Sequence, residues 1–387
     1  MINMDNSATT QPDPEVIRVV ADVMQNIYGN PASLHGLGGK AERLVKQARE
    51  VVAHALGVSP GSIIFTSGGT ESNNMAIKGA ALQFKNRGRH LITTQIEHPS
   101  VYEVHKQLEE EGWEVTYLPV NQQGKVRLDD VKKALRDDTI LVSIMHVNNE
   151  VGTVQPIAEI GELLRRYPKV LFHVDAVQSF GKMDVRPIAW GVDLLSISAH
   201  KFHGPRGVGC LYIREGLRLA PLLIGGGQEA GYRSGTLNVP GIAGFAKAIT
   251  LGANQRKEML ARLGDWRQEM IQQWKDQLTH FRINGDPSRE GAPFILSLSF
   301  PKLKSEVIVH ALEEEGVVVS SKSACSSKGE KASRILTAMG IDEETAVGSI
   351  RISMSRWTTA EEVQATILAV QRVIPKLQKI MKVYEDE

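Results

Sequence analysis

Hydrophobic and polar positions along the chain follow two patterns, which together predict a sheet covered by helices. Short apolar segments are typical of buried strands, and they recur at 62–66, 90–94, 115–119, 140–145, 170–174, 193–197 and 208–213. Residues 40–56 instead carry apolar side chains at three- and four-residue steps, and Gly57 follows as a helix-ending residue. Helical patterns separate most of the strand segments from residue 60 to 215. The alternation predicts an α/β fold, with a mostly parallel sheet and helices on both faces.

The pattern changes after about residue 255. A polar helical stretch at 254–278 precedes strand-like segments at 294–300, 316–320 and 349–354. We therefore expect a large domain of residues 13–254 and a smaller α+β domain of residues 1–12 and 255–387. Ligands of open α/β sheets bind beyond the carboxyl ends of the strands, so the chemistry is expected at that edge of the large domain.

Charge and cysteine content exclude several classes of protein. The 387 residues include 45 Lys and Arg against 44 Asp and Glu, a net charge of +1 that offers no basic excess for nucleic acid. Two cysteines, Cys210 and Cys325, are too few for a disulfide framework. The first residues lack a leader pattern, and no apolar run reaches the roughly 18 residues that span a bilayer. We expect a cytoplasmic protein without a membrane segment, a metal site or a direct nucleic-acid partner.

Two glycine-rich strings match a bare dinucleotide-binding pattern but lack its context. The string at 36–41 has no strand before it, and the string at 225–230 has no helix after it. The TSGGTES stretch at 66–72 does follow a strand and open a helix. Free backbone N–H groups and the positive end of the helix dipole make such a turn suited to a phosphate.

Two neighbouring strands end in a set of residues that fits a particular cofactor. Asp175 ends an apolar strand, a position that on its own also fits a helix cap. The next strand ends with Ser198, His200 and Lys201, which alone read as a polar loop. Pyridoxal 5'-phosphate (PLP) needs a lysine for its Schiff base, a carboxylate for its ring nitrogen and donors for its phosphate. The pair of segments supplies all three.

The chain resembles the class V, fold-type I PLP enzymes, and among them the NifS/IscS-like cysteine desulfurases. The resemblance runs nearly end to end. Its motifs are MDNSATT (4–10), GNPASLH (29–35), TSGGTES (66–72), EH (97–98), HVNNEVG (146–152), HVD (173–175), SAHK (198–201), RSGT (233–236), SAC (323–325) and RIS (351–353).

The resemblance implies roles for the residues around the cofactor ring. Lys201 would carry PLP as a Schiff base and later move the α-proton of the substrate. Asp175 would pair with the ring nitrogen, and Gln178 would hydrogen-bond the phenolic oxygen. His98 would stack on the ring and act in acid–base steps.

The resemblance also assigns the two ends of the ligand. Thr236 would reach the phosphate of the neighbouring subunit, so that a homodimer forms the complete site. Asn149 and Arg351 would bind the substrate carboxylate, and Arg356 is the weaker candidate. The phosphate donors within the chain would be Gly69, Thr70, Ser198 and His200.

Cys325 distinguishes among members of this superfamily. It lies in a small, polar, glycine-containing stretch that reads as an exposed loop, and Lys322, Lys328 and Lys331 would favour its thiolate. Cys210 lies in a strand-like segment and reads as packed and unreactive. One departure is Lys322, which stands where the family usually has glycine and which bears on the conformation and partner of the loop.

The resemblance implies conversion of L-cysteine to L-alanine, with the sulfur passing to Cys325 as a persulfide. A sulfur-acceptor protein would then receive it for iron–sulfur cluster assembly or for tRNA and cofactor thiolation, and the sequence does not name this acceptor. A selenocysteine lyase or another class V lyase or aminotransferase is the enzymatic alternative. A sulfur-carrier scaffold without turnover is the non-enzymatic one.

Overall fold

A computed structural model describes residues 1–253, 255–321 and 332–381. Within these ranges the strands are β1 (Ile2–Asn3), β2 (Ile63–Thr66), β3 (His90–Thr94), β4 (Glu114–Leu118), β5 (Thr139–Met145), β6 (Leu171–Asp175), β7 (Leu194–Ser198), β8 (Gly209–Ile213), β9 (Arg282–Asn284), β10 (Ile295–Ser299), β11 (Val317–Val318), β12 (Ser320–Ser321) and β13 (Ser349–Ser353).

The α-helices of the described residues cover the strands. They are α1 (Pro14–Asn26), α2 (Gly36–Leu56), α3 (Gly69–Phe84), α4 (Pro99–Glu110), α5 (Leu128–Ala134), α6 (Ile157–Leu164), α7 (Val239–Ala253), α8 (Arg256–Gln277), α9 (Ser305–Glu314), α10 (Arg334–Ala338), α11 (Glu343–Val347) and α12 (Ala360–Ile380). No helix in these ranges has the length and apolar character needed to cross a membrane.

The central sheet contains β2 to β8 in the order β2-β8-β7-β6-β5-β3-β4. Neighbouring strands pair in parallel except at β8, which runs antiparallel to both of its neighbours. Alternate side chains enter two separate cores: Val142 and Phe172 pack beneath α2, α6 and α7, whereas Leu141 and Leu171 pack beneath α3 and α4. The predicted α/β fold, with a mostly parallel sheet, is confirmed.

The predicted alternation of strands and helices stops after β6. Residues 176–193 connect β6 to β7 without an α-helix, and a short turn follows β7. A long crossover is unnecessary at this second connection because β8 is antiparallel to β7. The prediction of βα units up to residue 215 was therefore wrong for the last two connections. The departure leaves the end of β7 free for the lysine-bearing turn.

Helix α2 begins four residues before the predicted start at residue 40. Its first residue is Gly36, because the His35 side chain accepts a hydrogen bond from the N–H of Gly38 and caps the helix. The glycines at the start of the helix concealed this boundary. The predicted end is confirmed, since Gly57 adopts a left-handed conformation with φ of +67°.

A second hydrophobic core lies among the C-terminal elements. Helices α8 and α12 pack on a four-stranded antiparallel sheet in the order β12-β13-β10-β9. The N-terminal strand β1 pairs with β11, and Met4 is buried in this second core. Helix α1, in contrast, packs against α7 of the large core. The limits 13–254 for the large domain stay a prediction.

Candidate active site

The carboxyl ends of β5, β6 and β7 meet at one edge of the central sheet. The register places Met145 opposite Asp175, and Asp175 opposite Ser196. A single helical turn, Ala199–Lys201, follows β7 directly. The sheet thus holds Asp175 and Lys201 at the same edge, as the sequence predicted for the end of a parallel sheet.

An open cavity of about 410 Å³ lies at the start of α3 and against the turn after β7. Gly68 precedes the helix with φ of +149°, a conformation that favours glycine. A Cβ atom on Gly69 would come within 2.6 Å of the Val177 side chain. The close approach of the backbone therefore depends on glycine. All four predicted phosphate donors line this cavity: Gly69, Thr70, Ser198 and His200.

The donors around this cavity suit an anion. The first N–H groups of the 16-residue helix α3 lack partners within the helix, and the helix dipole is positive at this end. Arg206 lines the cavity as well. Burial lowers the pKa of His200 to about 4, with help from the positive charges of Lys201 and Arg206, so His200 is neutral at neutral pH.

A hydrogen-bond network connects His98 with Asp175. Asn73 donates through Nδ2 to Asp175 Oδ2 at 2.9 Å and to Ser100 Oγ, also at 2.9 Å. Ser100 Oγ in turn lies 2.8 Å from His98 Nδ1. Asp175 also accepts from the N–H of Val177. The carboxylate and the imidazole are held by one set of partners, of which Asn73 and Ser100 were missed by the sequence analysis.

His98 caps α4, and this contact selects its tautomer. Nδ1 accepts a hydrogen bond from the backbone N–H of Ser100 at 3.1 Å, so the proton of the neutral ring lies on Nε2. Burial lowers the pKa of His98. The negative charge of Asp175 opposes this shift, and the positive charges of Lys201 and Arg334 add to it. His98 therefore presents an Nε2–H group at neutral pH.

Lys201 contacts the N-terminal segment. Its Nζ donates to the carbonyl oxygens of Ser7 at 2.7 Å and Ala8 at 2.8 Å. Gln178 donates from Nε2 to the same Ser7 oxygen at 3.0 Å. The segment is fixed in turn by the second core, since the N–H of Ser7 donates to Ser353 Oγ. The predicted lysine and glutamine thus meet on one backbone carbonyl.

Asn149 and Arg351, the predicted substrate-carboxylate residues, are in contact. Arg351 donates to the Asn149 backbone oxygen at 2.7 Å and to Asp5 Oδ1 at 2.8 Å. Its Nε and the Asn149 Oδ1 are buried without a hydrogen-bond partner among the residues that the structure describes. The partner Asp5 was not foreseen. An incoming carboxylate would meet a guanidinium that is already partly paired, with an unused Nε–H.

The remaining residues named in the sequence analysis lie away from these contacts or outside the described ranges. Arg356 is paired with Asp13, as Arg351 is with Asp5, so the pairing does not distinguish the two candidates. Thr236 is exposed and is not among the residues that line the cavity. Cys210 is fully buried in β8, and burial raises the pKa of its thiol, as expected for an unreactive cysteine. Cys325 and Lys322 lie outside the described residues, as does the predicted mobility of their loop.

Glu97 is a buried carboxyl group to which the sequence analysis gave no role. It is completely inaccessible, and its Oε1 accepts hydrogen bonds from Thr94 Oγ1 and from the N–H of Met145. Oε2 has no hydrogen-bond partner within the described ranges of the chain. Burial raises the pKa of Glu97 to about 8. The carboxyl group is accordingly protonated at neutral pH.

We expect a Glu97→Gln variant to become more stable, relative to the parent protein, as pH rises. The unfolded chain loses the Glu97 proton near pH 4.5, whereas the folded protein keeps it to about pH 8, so ionisation favours unfolding between these values. At about 1.4 kcal/mol per pH unit, the difference between pH 5 and pH 8 is at most about 4 kcal/mol. Thermal unfolding of both proteins across this range measures it, and a constant difference in melting temperature would contradict the assignment.

Arg334 joins the turn that carries His98 to helix α10. It donates to the backbone oxygens of Gln95 and Glu97, and its guanidinium carbon lies 3.7 Å from the centroid of the Tyr102 ring. Ser333 donates to Glu150. Residues 333 and 334, at the start of the described range 332–381, thus attach to the His98 turn and to the turn that contains Asn149.

The chain matches proteins of one family along nearly its whole length. The description Aminotransferase class-V fits residues 2–366. The cysteine desulfurase IscS of Dictyoglomus turgidum is 44% identical over 379 residues, covering 98% of this chain and 96% of the relative. The cysteine desulfurase of Trichormus azollae is 42% identical over 387 residues, covering 100% and 96%.

Solved structures give the same result. A NifS-like protein superimposes with a TM-score of 0.90 at 39% identity, covering 97% of this chain and 99% of that one. SspA in complex with cysteine has a TM-score of 0.81 at 34% identity, with coverage of 93% and 100%.

Proposed function

The chain belongs to the class V aminotransferase family, and from that premise we propose that it is a PLP-dependent cysteine desulfurase. The observation that carries the proposal is the arrangement at the sheet edge. Lys201, Asp175 and the glycine-lined anion cavity lie together, and relatives at 40–44% identity are named cysteine desulfurases.

The residues present fit PLP. Gly69 allows the backbone to approach an anion, and Ser198, His200 and the start of α3 supply the donors of a phosphate cradle. Asp175, fixed by Asn73, would hold the ring nitrogen in its protonated form. Bound PLP supplies an electron sink that stabilises negative charge on the substrate Cα.

The protein groups then hold and move protons. Lys201 Nζ, freed from the carbonyl oxygens of Ser7 and Ala8, would take the α-proton of the substrate. His98, neutral with its proton on Nε2, is suited to giving a proton to a neighbouring atom. Arg351 and Asn149 would bind the carboxylate and fix the orientation of Cα.

The sulfur step needs a nucleophile in addition to these groups. The Cys325 thiolate would attack the substrate sulfur, so that the bond from Cβ to sulfur breaks and a sulfur–sulfur bond forms. Once protons are returned to Cα and Cβ, L-cysteine and the Cys325 thiol have become L-alanine and a Cys325 persulfide. This overall reaction is balanced and needs no external oxidant. The flanking Lys322, Lys328 and Lys331 would favour the thiolate.

We expect the protein to be a homodimer, with Thr236 completing the phosphate site of the partner. Arg233 of the same RSGT motif pairs with Glu71, which also accepts from the N–H of Ser67 in the cradle. Ile224, just before this segment, is 85% exposed, which suits a surface covered by a second subunit. Sedimentation at assay concentration tests this. An active monomer would rule out the shared site.

The test of the function is a comparison of substrates under reducing conditions. The proposal predicts release of alanine from L-cysteine, with sulfide formed in equal amount. Turnover restricted to selenocysteine would favour the lyase, transamination without sulfide the aminotransferase, and PLP binding without turnover a carrier scaffold. Mixing persulfide-charged protein with candidate acceptors would then separate delivery to iron–sulfur assembly from delivery to tRNA thiolation.

A further inference from the structure

Lys182 is a buried lysine next to the candidate active site. It lies at the end of the turn that follows β6, four residues after Gln178, and only 8% of its surface is exposed. Its Nζ donates to Gln178 Oε1 at 3.2 Å and lies 4.3 Å from the centroid of the Phe294 ring. A lysine is seldom buried to this extent because removing an ammonium group from water is costly.

The surroundings of Lys182 make its charged form unfavourable. Burial holds the pKa of Lys182 well below its usual range, and the positive charges of Lys201 and Arg351 lower it further. Lys201 on the turn after β7 and Arg351 on β13 are the two charged groups that face it most strongly. A role in an ion pair therefore does not account for this lysine, which leaves its N–H groups as hydrogen-bond donors.

The hydrogen bond from Lys182 favours one orientation of the Gln178 amide. Nζ carries N–H donors whether the amine is charged or neutral, and in the structure it donates to Oε1, so the amide turns its oxygen, not its NH₂, toward Lys182. The Ser7 carbonyl on the other side is an acceptor and takes the Nε2 hydrogen at 3.0 Å. The same oxygen accepts from Lys201. Lys182 and the Ser7 carbonyl therefore favour the same amide orientation, in which the NH₂ group of Gln178 lies on the side of Lys201.

We propose that Lys182 is a positioning residue that fixes the Gln178 amide with its NH₂ group toward the phenolic oxygen of bound PLP. The inference rests on the proposed function, because it assumes that PLP binds at Lys201. An N–H donor stabilises the anionic form of the phenolic oxygen. The bound cofactor would then lose its proton at a lower pH than it would if the Gln178 amide were rotated, with its oxygen toward the phenolic oxygen.

The test is the pH titration of the visible absorbance of bound PLP, measured without substrate. Lys182→Met removes the donor at nearly constant side-chain length, and we expect the titration midpoint to rise by about one pH unit, the effect of losing one hydrogen bond to a charged group. Lys182→Arg keeps the donors, and a cavity of about 230 Å³ that Lys182 lines has room for it. This variant should keep the midpoint of the parent protein.

A double-mutant cycle separates orientation of Gln178 from a direct effect of charge. Gln178→Met should itself raise the midpoint. If Lys182 acts through Gln178, adding Lys182→Met to that variant shifts the midpoint by less than about 0.3 unit. If the Lys182 charge acts directly on the cofactor, the shift persists in the Gln178→Met background, and the inference is wrong.

Two controls keep the outcomes distinct. Circular dichroism checks that the variants fold; if Lys182→Met does not, Lys182→Gln replaces it, because an amide is both donor and acceptor and no longer selects an orientation. An unchanged midpoint in either variant overturns the role of Lys182 and leaves the proposed function intact. Failure of the parent protein to bind PLP removes the proposed function, and the inference with it.

Discussion

Lys201→Ala is expected to purify without covalently bound PLP and to lose alanine formation by about 10³-fold or more, since it lacks both the Schiff-base amine and the proton acceptor. The mutation removes a side chain that contacts the carbonyl oxygens of Ser7 and Ala8. Borohydride reduction of the parent protein, followed by digestion and mass spectrometry, should give a modified peptide that contains Lys201.

The structure contains a second lysine that could form the Schiff base in place of Lys201. Lys182 is also buried beside the site, and burial lowers the pKa of its amine, which favours the neutral, nucleophilic form. PLP on Lys182 after reduction would show that the Schiff base was assigned to the wrong lysine. Lys257→Ala, an exposed change on α8, is the matched control and should keep both the modification and the activity.

Local patterns in the sequence predict the central sheet well. Strands β2 to β8 are short apolar segments, and each starts and ends within about one residue of its prediction. Hydrophobic burial on both faces makes such strands visible in a single sequence. The direction of β8 is not visible in this way, because an antiparallel strand between β2 and β7 carries the same apolar residues as a parallel one.

Of the candidate active site, the sequence predicts only the residues that lie at the ends of strands. Asp175 and Lys201 follow recognisable strands, so parallel pairing predicts that they meet at one edge. Asn73 and Ser100 lie 27 residues apart on different helices, and nothing local indicates that they bridge Asp175 and His98. The contact of Lys201 with Ser7 spans 194 residues. Such contacts depend on how the layers pack, which the periodicity of one segment does not encode.

Asp5 illustrates what tertiary structure adds to a predicted role. The guanidinium of Arg351 was expected to bind a carboxylate, and in the structure the Asp5 carboxylate already accepts from it. Asp5 forms a bridge to Ser353 on the second core, so the N-terminal segment brings this acid to the site. If Arg351 binds the substrate as proposed, a substrate carboxylate would have to share or replace that contact.

Cys325→Ser is expected to bind PLP normally and to lose cysteine turnover, because the cofactor contacts proposed above involve no cysteine. The variant should form alanine at least about 10²-fold more slowly than the parent protein, since a serine hydroxyl is a poor nucleophile toward sulfur. In the parent protein, brief exposure to L-cysteine should leave a persulfide on the Cys325 peptide, and a thiol reductant should remove it.

Cys210 is the internal control for this experiment. Its thiol lies inside β8 with no exposed surface, and its raised pKa disfavours the thiolate that sulfur transfer requires. Cys210→Ala should therefore keep full activity and the persulfide on Cys325. A persulfide on Cys210 alone, or full alanine formation by Cys325→Ser, would mean that sulfur leaves without an enzyme thiolate at position 325. The protein would then be better described as a PLP lyase that releases sulfur or selenium directly.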